Sequence, residues 1–370
     1  MSSVVNTARP SPRLSVQEPS LVSEGSTPTE ALVRSIELAR LTDRLGYTRF
    51  WMNEHHGGPP FASVAPEILL ARLGAETTHL RLGTGGIILP HYAPLKVAEI
   101  FRTLHTLHPG RIDLGIARPF GTPFPVEALR REHRVEPEDD FTEQLTELLA
   151  FLGKRPFAPD HPFRQICVAP TTPGEADVWL LGSSLRSASL AAQFGRPYVY
   201  SHFHNPLLTR QAVETYQHSF ASARAGDLPC NMVFVGVLCA ETQAEAERLH
   251  ASTRLFFQRA RNRDMRLFPE PAEALRELAG TNIGGFPGSE ESEWPPFLIG
   301  TPGRIRHNLL SMAHALHVDE FLVQTLCWDH AARLRSYELL ASVMGLRMST
   351  LVGPHRRRSA YLHPSIVSAG

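Results

Sequence analysis

Lysine is almost missing from this chain of 370 residues: Lys96 and Lys154 are the only two, and arginine carries the rest of the basic charge. That skew fits genome base composition better than any function. Neither sign of charge is in excess, with 37 basic against 37 acidic residues, and the one basic run is Arg356 to Arg358. A nucleic-acid grip that neutralises many phosphates is therefore not expected. Long apolar runs are lacking too: nothing approaches the roughly 18 residues of a membrane span, and the first residues have no signal-peptide core. A cytoplasmic protein without membrane contact is the expectation. Close cysteine pairs are absent, since Cys167, Cys230, Cys239 and Cys327 are widely spread, so separate reduced thiols are expected. Three signatures are also missing: the Gly-x-Ser-x-Gly elbow of hydrolases, the His-Glu-x-x-His zinc helix and the Gly-x-Gly-x-x-Gly dinucleotide turn.

What is present is a regular alternation of short β-like runs and amphipathic helical patterns. Strands are expected near Arg13–Glu18, Tyr47–Glu54, Leu80–Leu89, Arg111–Ala117, Val178–Leu181, Pro197–His202, Met232–Cys239 and Asp319–Gln324. Helices fall between them. In Leu95–Leu107, for example, Val97, Ile100, Phe101, Leu104 and Leu107 recur at helical spacing before the stop His108-Pro109-Gly110. Eight strand-helix units favour one α/β domain, a single (β/α)8 barrel, over an open doubly wound sheet. The domain is placed at 13–349, with a disordered arm over 1–12 and a disordered tail over 350–370. The segment 258–297, rich in Pro, Gly and acidic residues in its second half, reads as an insertion loop before the last unit.

Active sites of such barrels assemble at the C-terminal ends of the strands. There the second strand delivers Asn53-Glu54-His55-His56, and strand alternation puts Arg49, Trp51, Asn53 and His55 on one side. Glu-His-His at a strand end is a candidate acid/base site; plain capping of the strand is the bland alternative. His202-x-His204, ending the sixth strand, raises a metal reading, but no set of carboxylates accompanies it and no metal is expected. The third strand contains Gly83, Gly85 and Gly86, as needed where a backbone or a flat ligand comes close, or where a bulge forms. Phe61, Phe120 and Tyr200 are either an apolar substrate wall or core aromatics.

Two segments suit an anion. Gly182-Ser183-Ser184 follows an apolar strand and opens a helix, where N–H groups and hydroxyls converge, although Ser183 can equally be an ordinary N-cap. Arg118 ends the fourth strand on the same rim, where a guanidinium binds a phosphate through two parallel bonds or a neighbouring loop through a salt bridge.

Taken together, the runs RLGYTRFWMNEHH, APEILLARLGAETTHLRLGTGGIILPHYAPLKVAEIFRTLHTLHPGRIDLGIAR, WLLGSS, AAQFGRPYVYSHF and LIGTPGRI resemble the bacterial luciferase-like monooxygenases, from Leu14 to about Gly345. The similarity is greatest to the oxidoreductase branch of that flavin-dependent family. The resemblance implies a barrel that takes FMNH2 from a separate flavin reductase and, with O2, oxygenates a small organic substrate through a C4a-hydroperoxyflavin. It implies that His55 is the active-site histidine and that a non-proline cis peptide lies at Gly85-Gly86 beneath the flavin. Arg118, Ser183, Ser184 and Ser187 would hold the FMN phosphate. His56 is expected to be structural. Self-association as a homodimer stays open.

The chain departs from the family pattern in three places. The usual acidic residue after the fourth strand is missing from Arg118-Pro119-Phe120-Gly121-Thr122-Pro123, Leu185-Arg186 puts an extra cation near the phosphate rim, and Gln17-Glu18 replaces the usual Leu-Asp. Two other readings accompany the first: hydride transfer with deazaflavin F420, and flavin binding without turnover.

Overall fold

The computed structural model describes residues 11–118, 128–129, 140–222, 227–279 and 291–347. The expected arm and tail lie outside these residues, apart from Ser11 and Pro12. In chain order the elements are β1 (Arg13–Glu18), α1 (Pro28–Leu45), β2 (Arg49–Met52), α2 (Pro66–Glu76), β3 (Arg81–Thr84), β4 (Ile87–Ile88), α3 (Pro94–Leu107) and β5 (Ile112–Ala117). There follow α4 (Phe141–Phe151), β6 (Asp177–Gly182), α5 (Leu185–Gln193), β7 (Tyr198–Ser201), α6 (Thr209–Ser219), β8 (Asn231–Cys239) and α7 (Gln243–Arg261). The last are α8 (Pro271–Ala279), β9 (Phe297–Gly300), α9 (Pro302–Leu316), β10 (Glu320–Gln324) and α10 (His330–Met344).

All strand pairings are parallel, in the order β10-β1-β2-β3-β5-β6-β7-β8, and β10 also pairs with β8, so eight strands close a barrel. The expected (β/α)8 architecture is the one found. β9 stands outside the ring of eight. It pairs with the upper half of β8, Gly236–Cys239, while the lower half pairs with β7 and β10. No helix among the described residues is long and apolar enough to cross a membrane.

Local sequence accounts for the helix boundaries. Thr27 and Glu30 form a capping box on α1, Pro28 fills the first turn where no N–H is needed, and Gly46 ends the helix in the left-handed region. In α3 the stripe Val97, Ala98, Phe101 and Leu104 is buried, but Leu107 is 58% exposed because the helix ends there. The segment 258–297 departs from the expected loop: α7 continues through Arg261, α8 fills Pro271–Ala279 and Phe297 opens β9. Ala274 and Leu278 of α8 pack on Ala251 and Leu255 of α7. In the first half of the segment, Glu273 and Glu277 of α8 are the partners of a buried guanidinium, Arg259, at 2.6 Å each.

Alternation along β2 separates two cores. Phe50 and Met52 face the helices and join the large outer core. Trp51 points into the barrel and packs with Trp179, Val199, Met232, Phe234 and Leu322 from four other strands. Trp51 and Trp179 meet edge to face at 5.6 Å, a geometry worth about 0.5–1.5 kcal/mol beyond area burial.

Below this apolar layer the barrel floor is ionic. Arg49 donates to Asp113 at 2.6 Å and to Glu320 at 2.8 Å, and Arg81 bridges Asp113 at 2.5 Å and Asp177 at 2.8 Å. Trp51 Nε1 adds a bond to Asp113 at 3.0 Å, and Ser15 one to Glu320 at 2.6 Å. Burial alone would push both carboxyl groups up, but the guanidinium groups of Arg49 and Arg81 around Asp113, and of Arg13 and Arg49 around Glu320, hold both below the ordinary range. Their stabilisation is therefore present above the unfolded carboxylate pKa and lost as pH falls through the folded one.

His202 follows β7 and is fully buried, with Nε2 3.0 Å from the Pro295 carbonyl and Nδ1 2.7 Å from the Thr209 hydroxyl. Burial holds its pKa down to about 4. The fold thus keeps a neutral imidazole that the unfolded chain protonates first.

Two outcomes are expected. Asp113→Ala leaves the buried Arg49 and the partly buried Arg81 without their shared partner and should lower unfolding free energy by about 3–5 kcal/mol, read from the urea midpoint. Stability should also fall as pH drops from the ordinary 6.5 toward 4, with His202 contributing on the order of 3 kcal/mol across that window. His202→Gln should flatten that slope by one proton's worth, and an unchanged slope would show that His202 is not kept neutral.

Candidate functional site

β2 climbs from the ionic floor to the barrel mouth. Above Trp51, the Asn53 N–H donates to the Glu18 carbonyl at 2.9 Å and the His55 N–H to the Ser63 carbonyl at 3.1 Å, so the backbone stays ordered past the strand end. The His55 ring stacks on Phe61 at 4.1 Å between centroids and 11° between planes. Its Nδ1 is buried and has no hydrogen-bond partner. Burial, with a smaller push from His56, outweighs the pull of Glu54 and holds His55 down to about 4. A neutral imidazole with an unengaged nitrogen can take or pass a proton at physiological pH.

His204 joins it from the far side of the mouth. It is solvent-accessible, yet the surrounding protein holds its pKa down to about 4, with His55 a direct electrostatic neighbour. Its Nδ1 lies 2.5 Å from the Ser201 hydroxyl. The His202-x-His204 motif therefore does not bring two ligands together, because His202 is spent on Thr209 and Pro295 while His204 turns to the mouth.

Glu54 points the other way from His55. Its carboxylate accepts from the Ile88 N–H, the Tyr92 hydroxyl and His56 Nε2 at 2.8, 2.8 and 2.7 Å, and His91 Nδ1 stands 3.5 Å away. Burial alone would raise its pKa, but His91, the Ile88 N–H, His56 and Tyr92 hold it below the ordinary value. A buried anion here ties the end of β2 to β4. Glu54, His56 and His91 also place one potential ligand atom each within 4.8 Å of one another. His56 is thus a partner of Glu54, whereas His55 stacks on Phe61 with Nδ1 unengaged.

Between β3 and β4 the chain bends at Gly85-Gly86, whose peptide is cis. The bend sits against β2, since the Gly85 N–H donates to the Met52 carbonyl at 2.8 Å. These glycines answer to close protein neighbours. A Cβ on Gly85 would meet the Gln17 amide at 2.1 Å, one on Gly83 the Trp51 indole at 2.6 Å, and one on Gly86 the Gly115 carbonyl at 2.7 Å. Gln17 donates to the Gly85 carbonyl and leaves Oε1 buried without a partner. Its neighbour Glu18 faces outward, accepting from Ser20, Ser35 and Arg333. The unusual Gln17-Glu18 pair therefore serves the bend on one side and the helix layer on the other.

β5 and β6 are paired, Ile116 with Leu180, so Arg118 and the Gly182-Ser183-Ser184 turn leave the sheet side by side. The cap of α5 is Ser184 and not Ser183: Ser184 accepts from the Ser187 N–H at 3.2 Å, and the Ser187 hydroxyl returns to Ser184. The Ser183 carbonyl accepts from Asn205 at 3.1 Å. Arg118 lies over the Phe141 ring at 4.6 Å. Of the three aromatics considered as a substrate wall, Phe61 is at the mouth, Phe120 lies outside the described residues, and Tyr200 belongs to the core, fully buried with its hydroxyl on the Asn205 carbonyl at 2.7 Å. Tyr200 faces the helix layer because β7 alternates, with Val199 facing inward.

Sequence reasoning missed Gln17 and His204. The polar alternation Arg13, Ser15, Gln17 along β1 was the available signal for the first; for the second it was the His-x-His motif, read only as a chelate. Gln17 Oε1, Asn53 Oδ1 and His55 Nδ1 are all buried without partners at the ends of β1 and β2. Three orphaned polar atoms beside a glycine bend suit a flat heterocycle with several polar edges, of which a flavin is one.

Comparison with known proteins agrees with this geometry. A family model described as luciferase-like monooxygenase matches residues 13–320. A luciferase-like monooxygenase of Escherichia coli K12 is 34% identical, covering 87% of this chain and 94% of its own. The crystal structure of apo-MsnO8 superposes with a TM-score of 0.82 at 45% identity, over 91% of this chain and 98% of that one. The oxygenating constituent of 3,6-diketocamphane monooxygenase, a type II Baeyer-Villiger enzyme of Pseudomonas putida solved in complex with FMN, shares the fold. It has a TM-score of 0.68 at 20% identity, over 90% and 98% of the two chains. With the model match spanning nearly the whole barrel, this chain belongs to the luciferase-like monooxygenase family and is an enzyme of the monooxygenase class.

Proposed function

We propose that the protein is an FMN-dependent monooxygenase that receives reduced FMN from a separate flavin reductase and uses O2 to oxygenate a small organic molecule. The overall balance is substrate, O2 and FMNH2 giving oxygenated substrate, FMN and water. The observation that carries the reading is His55: neutral, with an unengaged Nδ1, one strand away from a glycine bend and flanked by the orphaned Gln17 and Asn53 oxygens.

Reduced FMN, when bound, supplies the two electrons and the reaction with O2. The chain's own residues do the rest. Gly85 and Gly86 keep the bend free of side chains. Gln17 Oε1 and Asn53 Oδ1 accept hydrogen bonds from a polar ring edge, and His55 Nδ1 holds or moves the proton that accompanies oxygen transfer. Arg118, Ser183, Ser184 and Ser187 bind the terminal phosphate, with the start of α5 adding N–H groups and a favourable dipole. Phe61 orients His55 by stacking and, with the mouth aromatics, excludes water. The separate reductase is supported by the lack of a nicotinamide fingerprint.

His55→Ala should keep FMN affinity within a few fold and reduce oxygenated product by ~10²-fold or more when reduced FMN is supplied. Undiminished turnover removes His55 from the mechanism. Anaerobic titration should show reduced FMN bound more tightly than reduced riboflavin, and Arg118→Ala should remove about 1.5–3 kcal/mol of that preference. Equal wild-type affinities would mean that the phosphate lies elsewhere, and tight F420 binding with no FMN binding would replace this reading by hydride transfer.

A further inference from the structure

The barrel mouth is bordered by rings that touch in sequence. From His55 the contact passes to Phe61 at 4.1 Å, to Phe256 at 6.1 Å, to Phe257 at 5.6 Å, to Phe203 at 6.2 Å and to His204 at 3.8 Å, and His204 is an electrostatic neighbour of His55. The rings come from three places far apart in sequence: the segment after β2, the segment after β7, and α7. Phe61, Phe203 and Phe257 are only half-buried, so each keeps part of a ring surface available. An aromatic border drawn from three elements is not required for closing the barrel, which the floor and the Trp51 layer already do.

We infer that this border is the substrate cup and that it selects a flat, uncharged aromatic molecule carrying a hydroxyl or carbonyl group. The inference rests on the monooxygenase reading only for calling the occupant a substrate; the binding preference stands on the rings. Half-exposed ring faces and edges gain most from another ring, whose quadrupole they complement, and less from a saturated skeleton of equal size. A charged ligand would leave water for an aromatic border whose polar members carry no charge, an uncompensated cost. Burial holds His55 down to about 4, and burial with a smaller push from Arg254 holds His250, behind Phe297, down to about 3, so these imidazoles offer neutral hydrogen bonds. The anionic Glu54 turns its carboxylate to Ile88, Tyr92 and His56 and not to the cup.

The test needs neither flavin nor turnover. Binding of 2-naphthol, of its saturated counterpart decahydro-2-naphthol and of naphthalene-2-sulfonate is measured by calorimetry on the full-length protein. The neutral aromatic should bind saturably and on the order of 2- to 12-fold more tightly than the saturated alcohol, the scale of one aromatic contact. It should also bind more tightly than the sulfonate. Phe203→Leu and Phe257→Leu should each abolish the preference for the aromatic over the saturated alcohol, and a urea midpoint near wild type shows that the variant is folded. No saturable binding, equal affinities for the two alcohols, tighter sulfonate binding, or a preference that survives in either folded variant overturns the inference. An FMN titration of the same samples separates the two ideas: absent FMN binding with an intact aromatic preference defeats the cofactor reading alone.

Discussion

Everything at the mouth depends on how the barrel disposes of charge at its floor. Arg49, Asp113 and Glu320 are all buried, and isolated ions there would each cost several kcal/mol. They are tolerated because they come from three strands and are mutually satisfied, with Arg13, Arg81 and Asp177 reaching in from the lower edge. Such a network adds little net stability over a well-packed apolar floor, but it is intolerant of misalignment. A strand displaced by one residue would turn its charged member out of the barrel and strand the remaining partners. The ions therefore fix the register of β1, β2, β3, β5 and β10, and register decides which residues arrive at the mouth.

β2 shows the consequence over seven residues. Arg49 holds the floor, Trp51 the apolar layer, Asn53 and His55 the mouth, all by simple alternation. The neighbouring residues serve a different purpose, with Phe50 and Met52 in the outer core. Past the strand end, Glu54 and His56 tie β2 to β4 and the segment that follows it. The Glu-His-His run thus divides into an anchor, a mouth residue and a partner of the anchor. Glu54 holds the backbone after the glycine bend through the Ile88 N–H, while the Met52 carbonyl holds its start at Gly85, so the end of β2 and the bend are tied together on the side away from the mouth.

Period-2 and period-3.6 patterns made the barrel legible, because eight strand runs and their helices carry enough alternation to be counted before any pairing is known. His55 and the glycine bend were legible because both are local: a strand end and three glycines in four residues. What stayed hidden was what depends on partners distant in sequence. Nothing near Tyr200 tells that its hydroxyl meets the Asn205 carbonyl from the core side, or that Arg118 lies over Phe141. The first half of 258–297 does not announce a helix until Arg259 of α7 is seen between Glu273 and Glu277 of α8. Gln17 fills the space that Gly85 leaves, a complementarity between β1 and β3 that neither strand announces.

Charge and chemistry are separated by height in the barrel. Six residues part Arg49 from His55, which at the rise of a strand is roughly 20 Å, and the floor charges are paired. A paired floor at that distance has little influence on an imidazole at the top. The causes that lower the His55 pKa are accordingly local, burial first and His56 second, against Glu54. Its proton affinity is therefore set by how dry the mouth is, and that depends on the Phe61 stack and the aromatic border rather than on any ion pair. A ligand that completes this border dries His55 further and favours its neutral form, so filling the cup and keeping the imidazole unprotonated are one physical event.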